Sequence, residues 1–226
     1  MKTDLLFIGC GNMGGAMLAG WLAKGLDPSR FAILDPALEQ APAGVRLFRN
    51  SEDVSCDYKA VLLGFKPQQL TDLAPSLQTL AGEAVEVHYL LAGLTTAQVQ
   101  AAFPHAKAHV RVMPNLAARI NKSPVILAQK GLDTTGQTRV QALYDHLGAA
   151  LWLQDERNFD LLTALAGAGP GFVYRFIDAL AAAAVLLGAE PEQATSLAIT
   201  MVDGASGLAA LSDAPPSVLA NRVASP

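Results

Sequence analysis

A glycine-rich turn near the amino terminus constrains the fold of this chain more than any other part of the sequence. The run DLLFIG is apolar enough for a buried strand, and residues 13–24 have the composition of a helix that ends at a glycine. Between them, GCGNMG places Gly9, Gly11 and Gly14 in the spacing G-x-G-x-x-G. A strand, a tight turn and a helix in this order begin a βαβ unit, so the turn predicts a sheet of parallel strands.

Each glycine of the turn has its own physical role in binding the phosphates of a dinucleotide. Gly9 permits the tight turn, Gly11 lets the backbone approach a pyrophosphate, and Gly14 allows the helix to pack closely on the strand. The free N–H groups at the start of the helix carry a partial positive charge that attracts phosphate. A turn used only for packing is the alternative, but the strand and the helix on either side favour dinucleotide binding.

Asp35 ends the second predicted strand, FAILD, about 20 residues after the turn. An acidic side chain at this position accepts hydrogen bonds from an adenosine ribose, and its charge repels a 2′-phosphate. The expected cofactor is therefore NAD(P)H, with a lean toward NADH. Two alternatives stay open: Arg49 turns into the same pocket, or Asp35 only caps the turn that follows it.

Strands and helices alternate along the first two-thirds of the chain. The strand-like runs after FAILD are VRLF, AVLLGF, VEVHYLLAG, AHVRVM, PVILA and ALWLQ, and Thr95 with Gln98 has the spacing of a capping box at a helix start. This order predicts a Rossmann-type, doubly wound parallel sheet over residues 1–156. Beyond LQDERNFD, two alanine-rich helical runs, residues 171–187 and 191–211, predict an all-α dimerisation domain over residues 157–226.

The first of these helical runs is apolar on nearly every side. Between residues 172 and 187 only Arg175 and Asp178 carry charge, and their spacing predicts ion pairing with each other or across a dimer seam. Such a helix must be buried, and its longest uncharged run, residues 179–189, is shorter than the about 18 residues of a membrane span. A homodimer, or a higher homo-oligomer built from dimers, is therefore expected; an ordinary core helix is the alternative.

Composition argues against several kinds of partner. The 226 residues include 16 Lys and Arg against 20 Asp and Glu, with no basic cluster, so no nucleic-acid surface is expected. The first residues lack the long apolar core of a signal peptide, which favours a cytoplasmic location. Cys10 and Cys56 have neither disulfide nor metal-ligand spacing, so reduced thiols and no metal site are expected.

Five motifs, in order, carry a resemblance to a known family. They are GCGNMGGAM, GFKPQQL, LLAGLT, RVMPNLA and AGAGPGFVYRFIDALAAAAVLLG. With them the chain resembles the pyrroline-5-carboxylate reductases over nearly its whole length. The resemblance implies an oxidoreductase that reduces 1-pyrroline-5-carboxylate to proline, the last step of proline biosynthesis, by hydride transfer from a nicotinamide cofactor. It also implies two protomers whose C-terminal helices interlock.

The resemblance implies site residues in the segments that follow the strands. Val223 and Ser225 would bind the substrate carboxylate, Lys66 and Asn115 would fix the nicotinamide ribose, and Asn50 would lie near the adenosine end. Ser225 and Lys66 are the predicted catalytic residues. The predicted cofactor-binding residues are Gly9, Cys10, Gly11, Asn12, Met13, Gly14, Asp35, Asn50, Gly64, Phe65, Lys66, Pro67, Ala92, Gly93 and Asn115.

The chain departs from the family pattern at places that would line the site. Leu116 and Ala117 stand where the family has Thr-Pro, RINKS replaces a Gly-x-Gly pair, and AGAGP lacks the usual serines. After NRVASP the family continues into a Gly-Gly-Thr loop and a closing helix. The helical domain is therefore expected to be truncated at its C-terminal end, with cofactor binding but slow reduction of the substrate.

Two alternative functions stay open on the sequence. One is a cofactor-binding dimeric paralogue, or a truncated chain, with little catalytic activity. The other is a related two-domain imine or hydroxyacid dehydrogenase. The β-hydroxyacid dehydrogenases usually have a catalytic lysine early in the first long C-terminal helix, and the absence of any lysine after Lys130 counts against them.

Overall fold

The computed structural model describes residues 3–55 and 57–224. Its strands are β1 Thr3–Ile8, β2 Phe31–Leu34, β3 Arg46–Phe48, β4 Tyr58–Leu63, β5 Glu86–Tyr89, β6 Ala108–Met113, β7 Ser123–Lys130 and β8 Gly148–Trp152. They form one sheet in the order β3-β2-β1-β4-β5-β6-β7-β8. Because β2 and β3 lie on one side of β1 and the later strands on the other, the strand order reverses between β1 and β4.

The expected α/β fold class is confirmed, with one difference in strand direction. Strands β1 to β6 are parallel, but β7 runs antiparallel to β6. Residues 114–122 make this connection, and a parallel crossover needs about a dozen residues or more. Strand β8 is again parallel to β7, with α4 (Thr134–Asp145) between them in sequence.

Helices cover both faces of the sheet. The helix α1 (Asn12–Ala23) packs with α4 on one face, and α2 (Leu70–Leu77) packs with α3 (Thr96–Ala102) on the other. Alternate residues of β1 enter the two cores: Leu5 and Phe7 lie under the first pair, and Leu6 and Ile8 under the second. Burial on both faces explains why the strands are continuous apolar runs in the sequence.

Trp21 fixes the position of α1 on the sheet. Its side chain is fully buried, its ring stacks on Phe31 with 5.2 Å between centroids, and its indole N–H donates to the Leu143 carbonyl at 2.7 Å. A buried tryptophan needs a partner for its N–H, and α4 supplies it. The start of α1 is therefore held at the carboxyl edge of the sheet by packing at the other end of the helix.

The chain divides into two compact units between Gly167 and Ala168. The first unit continues past the sheet through α5 (Phe159–Thr163), because the fully buried Phe159 packs against Ile126 and Ala128 of β7. The domain boundary expected after residue 156 stays a prediction.

The second unit consists of α6 (Gly169–Leu186), α7 (Pro191–Leu211) and α8 (Pro216–Val223). The sequence predicted α6 and α7 but not α8. The first two helices meet through alanines, with Ala181, Ala194 and Ala198 buried between them. Their large apolar side chains stay exposed within the single chain, Phe172 at 76 % and Leu186 at 87 %. Such a surface needs a further cover.

Two segments are long and apolar enough to cross a membrane by length and composition alone. They are Glu156–Leu186 and Pro191–Leu211, each with a mean hydropathy of 1.3. A helix that a partner chain covers passes the same test, so this feature does not separate a membrane from a partner. The expectation that no membrane takes part stays a prediction.

Candidate functional site

A cavity of about 500 Å³ lies at the carboxyl edge of the sheet in the first unit. It lies where the strand order reverses, the place at which open α/β sheets bind ligands. Its polar lining comes from the loops after the first four strands and includes Gly9, Gly11, Asp35, Arg49, Gly64 and Lys66. The cavity therefore joins segments that the sequence analysis assigned separately to a cofactor.

The loops after β1 and β4 touch at two glycines. Gly9 has a φ of +81°, a conformation that other L residues rarely adopt. A Cβ atom on Gly64 would lie 2.3 Å from the carbonyl oxygen of Gly9. The N–H of Gly64 donates to the Ile8 carbonyl at 2.9 Å. Both positions require glycine, and their contact holds the two loops side by side along the cavity.

Gly11 faces open space at the start of α1. No heavy atom lies within 4 Å of a Cβ atom built on it, and no side chain caps the helix there. The first helical hydrogen bond runs from the Gly15 N–H to the Gly11 carbonyl at 2.8 Å. The N–H groups of residues 12–14 therefore lack intrahelical acceptors and are available to an anion. The space and the donors fit a pyrophosphate.

The three residues after Gly11 differ in exposure. Asn12 is exposed, Met13 is partly buried against the core, and Gly14 is buried. A Cβ atom on Gly14 would lie 3.4 Å from the Phe7 ring, which is ordinary contact. Met13 can therefore offer a ligand its backbone N–H but not its whole side chain, and Gly14 is less tightly constrained than Gly9.

The Asp35 carboxylate joins the first loop to the second. Its Oδ2 accepts the N–H of Cys10 at 2.9 Å, and its Oδ1 accepts the N–H groups of Ala37 at 2.9 Å and Leu38 at 3.2 Å. Burial, with a smaller effect of the Asp35 charge, raises the pKa of the Cys10 thiol to about 11. The thiol is therefore protonated at neutral pH and is a poor nucleophile. Asp35 caps its own turn and also lines the cavity.

Arg49 is held beside Asp35 by backbone carbonyls. Its guanidinium donates to the carbonyl oxygens of Asp35 at 3.2 Å, Pro36 at 3.3 Å and Glu39 at 2.9 Å. A cation and a carboxylate thus line the same end of the cavity. Asn50 is exposed and its amide donates to Asp53 at 2.9 Å; the cavity wall at this loop is made by Ser51 instead.

The segment after β4 contributes unevenly to the cavity. Phe65 and Lys66 line it, and Lys66 is exposed, with its backbone N–H donating to the Gln69 side chain at 3.1 Å. Pro67 instead lines a groove between α2 and α3. The structure therefore places Lys66, but not Pro67, at the cavity.

The predicted residues after β5 and β6 lie on the same edge of the sheet but outside this cavity. Ala92 and Gly93 are exposed in a tight turn, closed by the Leu94 N–H donating to the Leu91 carbonyl at 3.2 Å. Asn115 is buried, and its amide is already bonded: Nδ2 donates to the Ala166 carbonyl at 2.8 Å, and Oδ1 accepts the Ala117 N–H at 2.9 Å. Asn115 organises its loop, and its contact with a cofactor stays a prediction.

The predicted substrate residues belong to the end of the chain. Val223 is the last residue of α8 and is 85 % exposed within the second unit. Ser225 lies outside the described residues, as does Cys56. Within residues 3–55 and 57–224, no group of three His, Cys, Asp or Glu side chains could hold a metal ion.

Two polar side chains of the cavity and one buried cation elsewhere in the first unit could not be singled out from the sequence. Ser51 and Gln69 line the cavity, and both follow a strand end closely, which is the only signal that could have found them. Arg111 is a buried cation in β6, and its carboxylate partners come from residues beyond β8. No local pattern reveals such a pairing.

Two family models match the chain. Residues 156–226 match the model described as pyrroline-5-carboxylate reductase dimerisation. Residues 4–85 match the model described as NADP oxidoreductase, coenzyme F420-dependent. The first match covers all three helices of the second unit, and the second covers the glycine turn and the Gly64 loop.

Curated proteins and solved structures are similar along nearly the whole chain. Pyrroline-5-carboxylate reductase 2 of Bacillus subtilis is 30% identical over 97% of this chain and 81% of its own length. The pyrroline-5-carboxylate reductase of Pseudomonas aeruginosa is 28% identical over 98% and 84%. The structure of the enzyme from Coxiella burnetii has a TM-score of 0.90 at 26% identity and covers 100% of this chain and 86% of that one. That from Plasmodium falciparum, with NADP bound, has the same fold, with a TM-score of 0.86 at 21% identity.

Proposed function

The chain belongs to the pyrroline-5-carboxylate reductase family, and we propose that it carries out that family's reaction at the carboxyl edge of its own sheet. It is an NAD(P)H-dependent oxidoreductase that reduces 1-pyrroline-5-carboxylate to proline. The observation that supports this site most strongly is the open cradle in front of Gly11, where a pyrophosphate would meet uncapped helix N–H groups.

The order of the strands gives the cofactor a direction along the sheet. Asp35 and Arg49 lie beyond β2 and β3, so the adenosine ribose belongs at that end. Gly11, at the end of β1, would hold the pyrophosphate. Lys66 and the turn after β5 would then hold the other half of the dinucleotide. The resemblance to the family assigns the nicotinamide ribose to Lys66 and Asn115. These residues follow β4 and β6, which lie on the same side of β1, so the assignment agrees with this direction.

When bound, the nicotinamide supplies the hydride that reduces the C=N bond of the cyclic imine. The protein's contribution is alignment, because a substrate held at near-attack distance reacts far faster than one in solution. We place Lys66 at the nicotinamide ribose, where its ammonium group also offsets phosphate charge. Asn115 holds the loop after β6 in place through its bonds to Ala166 and Ala117. The substrate carboxylate is assigned to Val223 and Ser225.

The chain forms a homo-oligomer, as the dimerisation model over residues 156–226 indicates, and the finer state proposed is a dimer or an assembly of dimers. The exposed apolar side chains of α6 and α7 support this, because one chain leaves them without cover. A cytoplasmic location is proposed as well, since reduced thiols suit that compartment.

The test of this proposal is a pair of glycine variants. Gly11→Val would put a branched side chain into the space assigned to the pyrophosphate, whereas Gly82→Val lies in a loop away from the cavity and also has open space around its Cβ position. Fluorescence titration with NADH and NADPH should show a loss of affinity of about a hundredfold or more for Gly11→Val, the equivalent of several lost phosphate contacts. Gly82→Val should bind like the wild type. Equal affinity of the two variants for the cofactor would show that the cofactor does not bind in this cavity.

A further inference from the structure

A carboxylate from beyond the sheet holds the start of α3. Oε1 of Glu156 accepts the backbone N–H of Thr96 at 2.8 Å and the Thr96 hydroxyl at 2.9 Å. The same oxygen accepts from Arg111 Nη1 at 3.2 Å. Thr96 is the first residue of α3, and Glu156 lies just after β8. The contact therefore joins segments 60 residues apart in the chain.

Arg111 keeps the Glu156 carboxylate in place. Its side chain is 3 % exposed and lies over the Phe159 ring, with 3.8 Å from Cζ to the ring centroid. Its Nη2 donates to Asp160 at 2.8 Å. A buried guanidinium requires charged acceptors, and charge-assisted hydrogen bonds are stronger than neutral ones. Glu156 is thus held by the guanidinium group of Arg111, a β6 residue that is buried against Phe159 of α5.

The hydrogen-bond chain continues to β5. The Thr96 hydroxyl donates a hydrogen bond to the carboxylate, so it must accept one from the Tyr89 hydroxyl, 3.0 Å away. Burial raises the pKa of Tyr89, which keeps that hydroxyl protonated and able to donate. Tyr89 and Thr96 are the two flanks of the turn that contains Ala92 and Gly93.

The turn itself has few contacts of its own. Ala92 and Gly93 are exposed, and a Cβ atom on Gly93 would meet nothing within 4 Å. One flank is held by the Leu90 N–H donating to the Leu63 carbonyl at 3.0 Å. The other flank is held by the Thr96–Glu156 contact. The position of Ala92 and Gly93 at the tip of the turn therefore depends on how these two flanks are held.

We propose that Glu156, fixed by Arg111 and acting through Thr96, positions the Ala92–Gly93 turn against the nicotinamide end of the bound cofactor. This inference rests on the proposed function, which runs the dinucleotide from Asp35 toward β5. Glu156 and Arg111 touch neither the cofactor nor the substrate and are positioning residues. Their effect is confined to one end of the cofactor, since the pyrophosphate and adenosine contacts come from β1 and β2.

The experiment compares NADH with ADP-ribose, which lacks the nicotinamide. In the wild-type protein, titration measures the Kd of each. Thr96→Val keeps the side-chain shape and removes the hydroxyl, and Thr96→Ser keeps the hydroxyl as the matched control. We expect Thr96→Val to raise the Kd of NADH and lower kcat, each about tenfold, the loss of one hydrogen bond to a charged group. Its Kd for ADP-ribose should stay within about twofold, and Thr96→Ser should resemble the wild type.

Circular dichroism and thermal melting confirm that each variant is folded before titration. If Thr96→Val does not fold, Thr96→Ala takes its place, because it also removes the hydroxyl that donates to Glu156 and leaves the Arg111–Glu156 pair intact. Equal effects on NADH and ADP-ribose, or no effect on either, would overturn the positioning role while leaving the proposed function intact. A wild-type protein that binds ADP-ribose and NADH equally tightly would also overturn it. Failure of the wild type to bind both would overturn the proposed function and this inference together.

Discussion

Gly20 of α1 lies directly against Ala118 in the loop after β6: a Cβ atom on Gly20 would come within 2.0 Å of the Ala118 carbonyl oxygen. The Gly20 carbonyl also accepts from the Asn121 amide at 2.8 Å. The helix that begins after Gly11 is thus held against residues 118–121, just after the RVMPNLA segment, by a close backbone approach and a side-chain hydrogen bond. The closeness of these two segments has a direct consequence for stability.

Gly20→Ala should destabilise the protein although alanine favours helices. The added methyl group would overlap a backbone oxygen, and relief requires α1 or the loop to move, which costs about 1–3 kcal/mol or more. Urea denaturation measures the free energy of unfolding. Gly82→Ala, at a position with open space, is the control and should change it by less than about 0.5 kcal/mol. An equally stable Gly20→Ala protein would mean that α1 and the loop are farther apart.

Asp35 should set the choice between NADH and NADPH. Its carboxylate lines the cavity, so NADH should bind at least as well as NADPH despite the neighbouring Arg49. Asp35→Asn removes the charge and keeps an oxygen that can accept from Cys10. The ratio of the two dissociation constants should then shift toward NADPH by about tenfold, as expected for removing one nearby charge in a partly hydrated site. A wild-type preference for NADPH that Asp35→Asn leaves unchanged would assign the selection to Arg49 instead.

Acid should weaken the fold through a buried histidine. His88 has no exposed side-chain surface; its Nε2 lies 3.3 Å from Glu86 and its Nδ1 lies 2.8 Å from the Tyr144 hydroxyl. The carboxylate accepts, so Nε2 carries the proton and Nδ1 accepts from Tyr144. Burial lowers the pKa of His88 below its ordinary 6.5 in spite of Glu86. The folded protein keeps this ring neutral.

The sign of the pH effect follows from this depressed pKa. The unfolded chain binds a proton at His88 as pH falls through about 6.5, and the folded protein resists it, so stability is lost below that pH. Burial opposes ionisation of Glu86, but His88 and Arg139 hold its pKa at about 2. The stability that Glu86 contributes is therefore lost progressively as pH falls from its ordinary pKa of 4.5 to about 2, below the pH range of this test. Unfolding free energies at pH 7 and pH 5 should differ, and His88→Gln should reduce that difference; an unchanged slope in His88→Gln would assign it to other groups.

Local features of the fold could be predicted from the sequence because their partners lie within one turn. The capping box is confirmed: Gln98 N–H donates to the Thr95 hydroxyl at 3.3 Å, and Thr95 N–H donates to the Gln98 side chain at 2.9 Å. The ion pair of Arg175 with Asp178 is confirmed at 3.5 Å. The alternation of apolar runs was equally informative, because both faces of the sheet are buried.

Features made by distant partners could not be predicted in the same way. Asn121 adopts a left-handed conformation and its amide reaches Gly20, 101 residues away. The apolar run that forms β7 looks like those of the parallel strands. Only the short connection between β6 and β7 indicates that β7 is antiparallel. In the site, the glycine turn could be predicted because the spacing of its glycines in the sequence determines the shape of the loop. The bonds that occupy the Asn115 amide depend on Ala166, which only the folded chain brings near.

The exposed apolar face of α6 should be the contact between subunits. Phe172 is 76 % exposed within the chain, and Phe172→Glu would place a charge in that contact at a desolvation cost of several kcal/mol. Sedimentation at micromolar concentration should show a dimer or a larger oligomer for the wild type and a lighter species for Phe172→Glu. Leu151→Glu changes a leucine of the first unit that is 57 % exposed and should leave the oligomer intact. An unchanged oligomer in Phe172→Glu would place the contact elsewhere.

Isotope transfer tests whether hydride passes from a cofactor in this cavity to the imine of 1-pyrroline-5-carboxylate. The protein is incubated with the substrate and with NADH or NADPH carrying deuterium on the reactive face of C4, and proline is analysed by mass spectrometry. We expect proline that is one mass unit heavier, with the deuterium at C5, from the wild type and from Gly82→Val but not from Gly11→Val. Unlabelled proline, no proline from a folded wild-type protein, or full activity in Gly11→Val would contradict it.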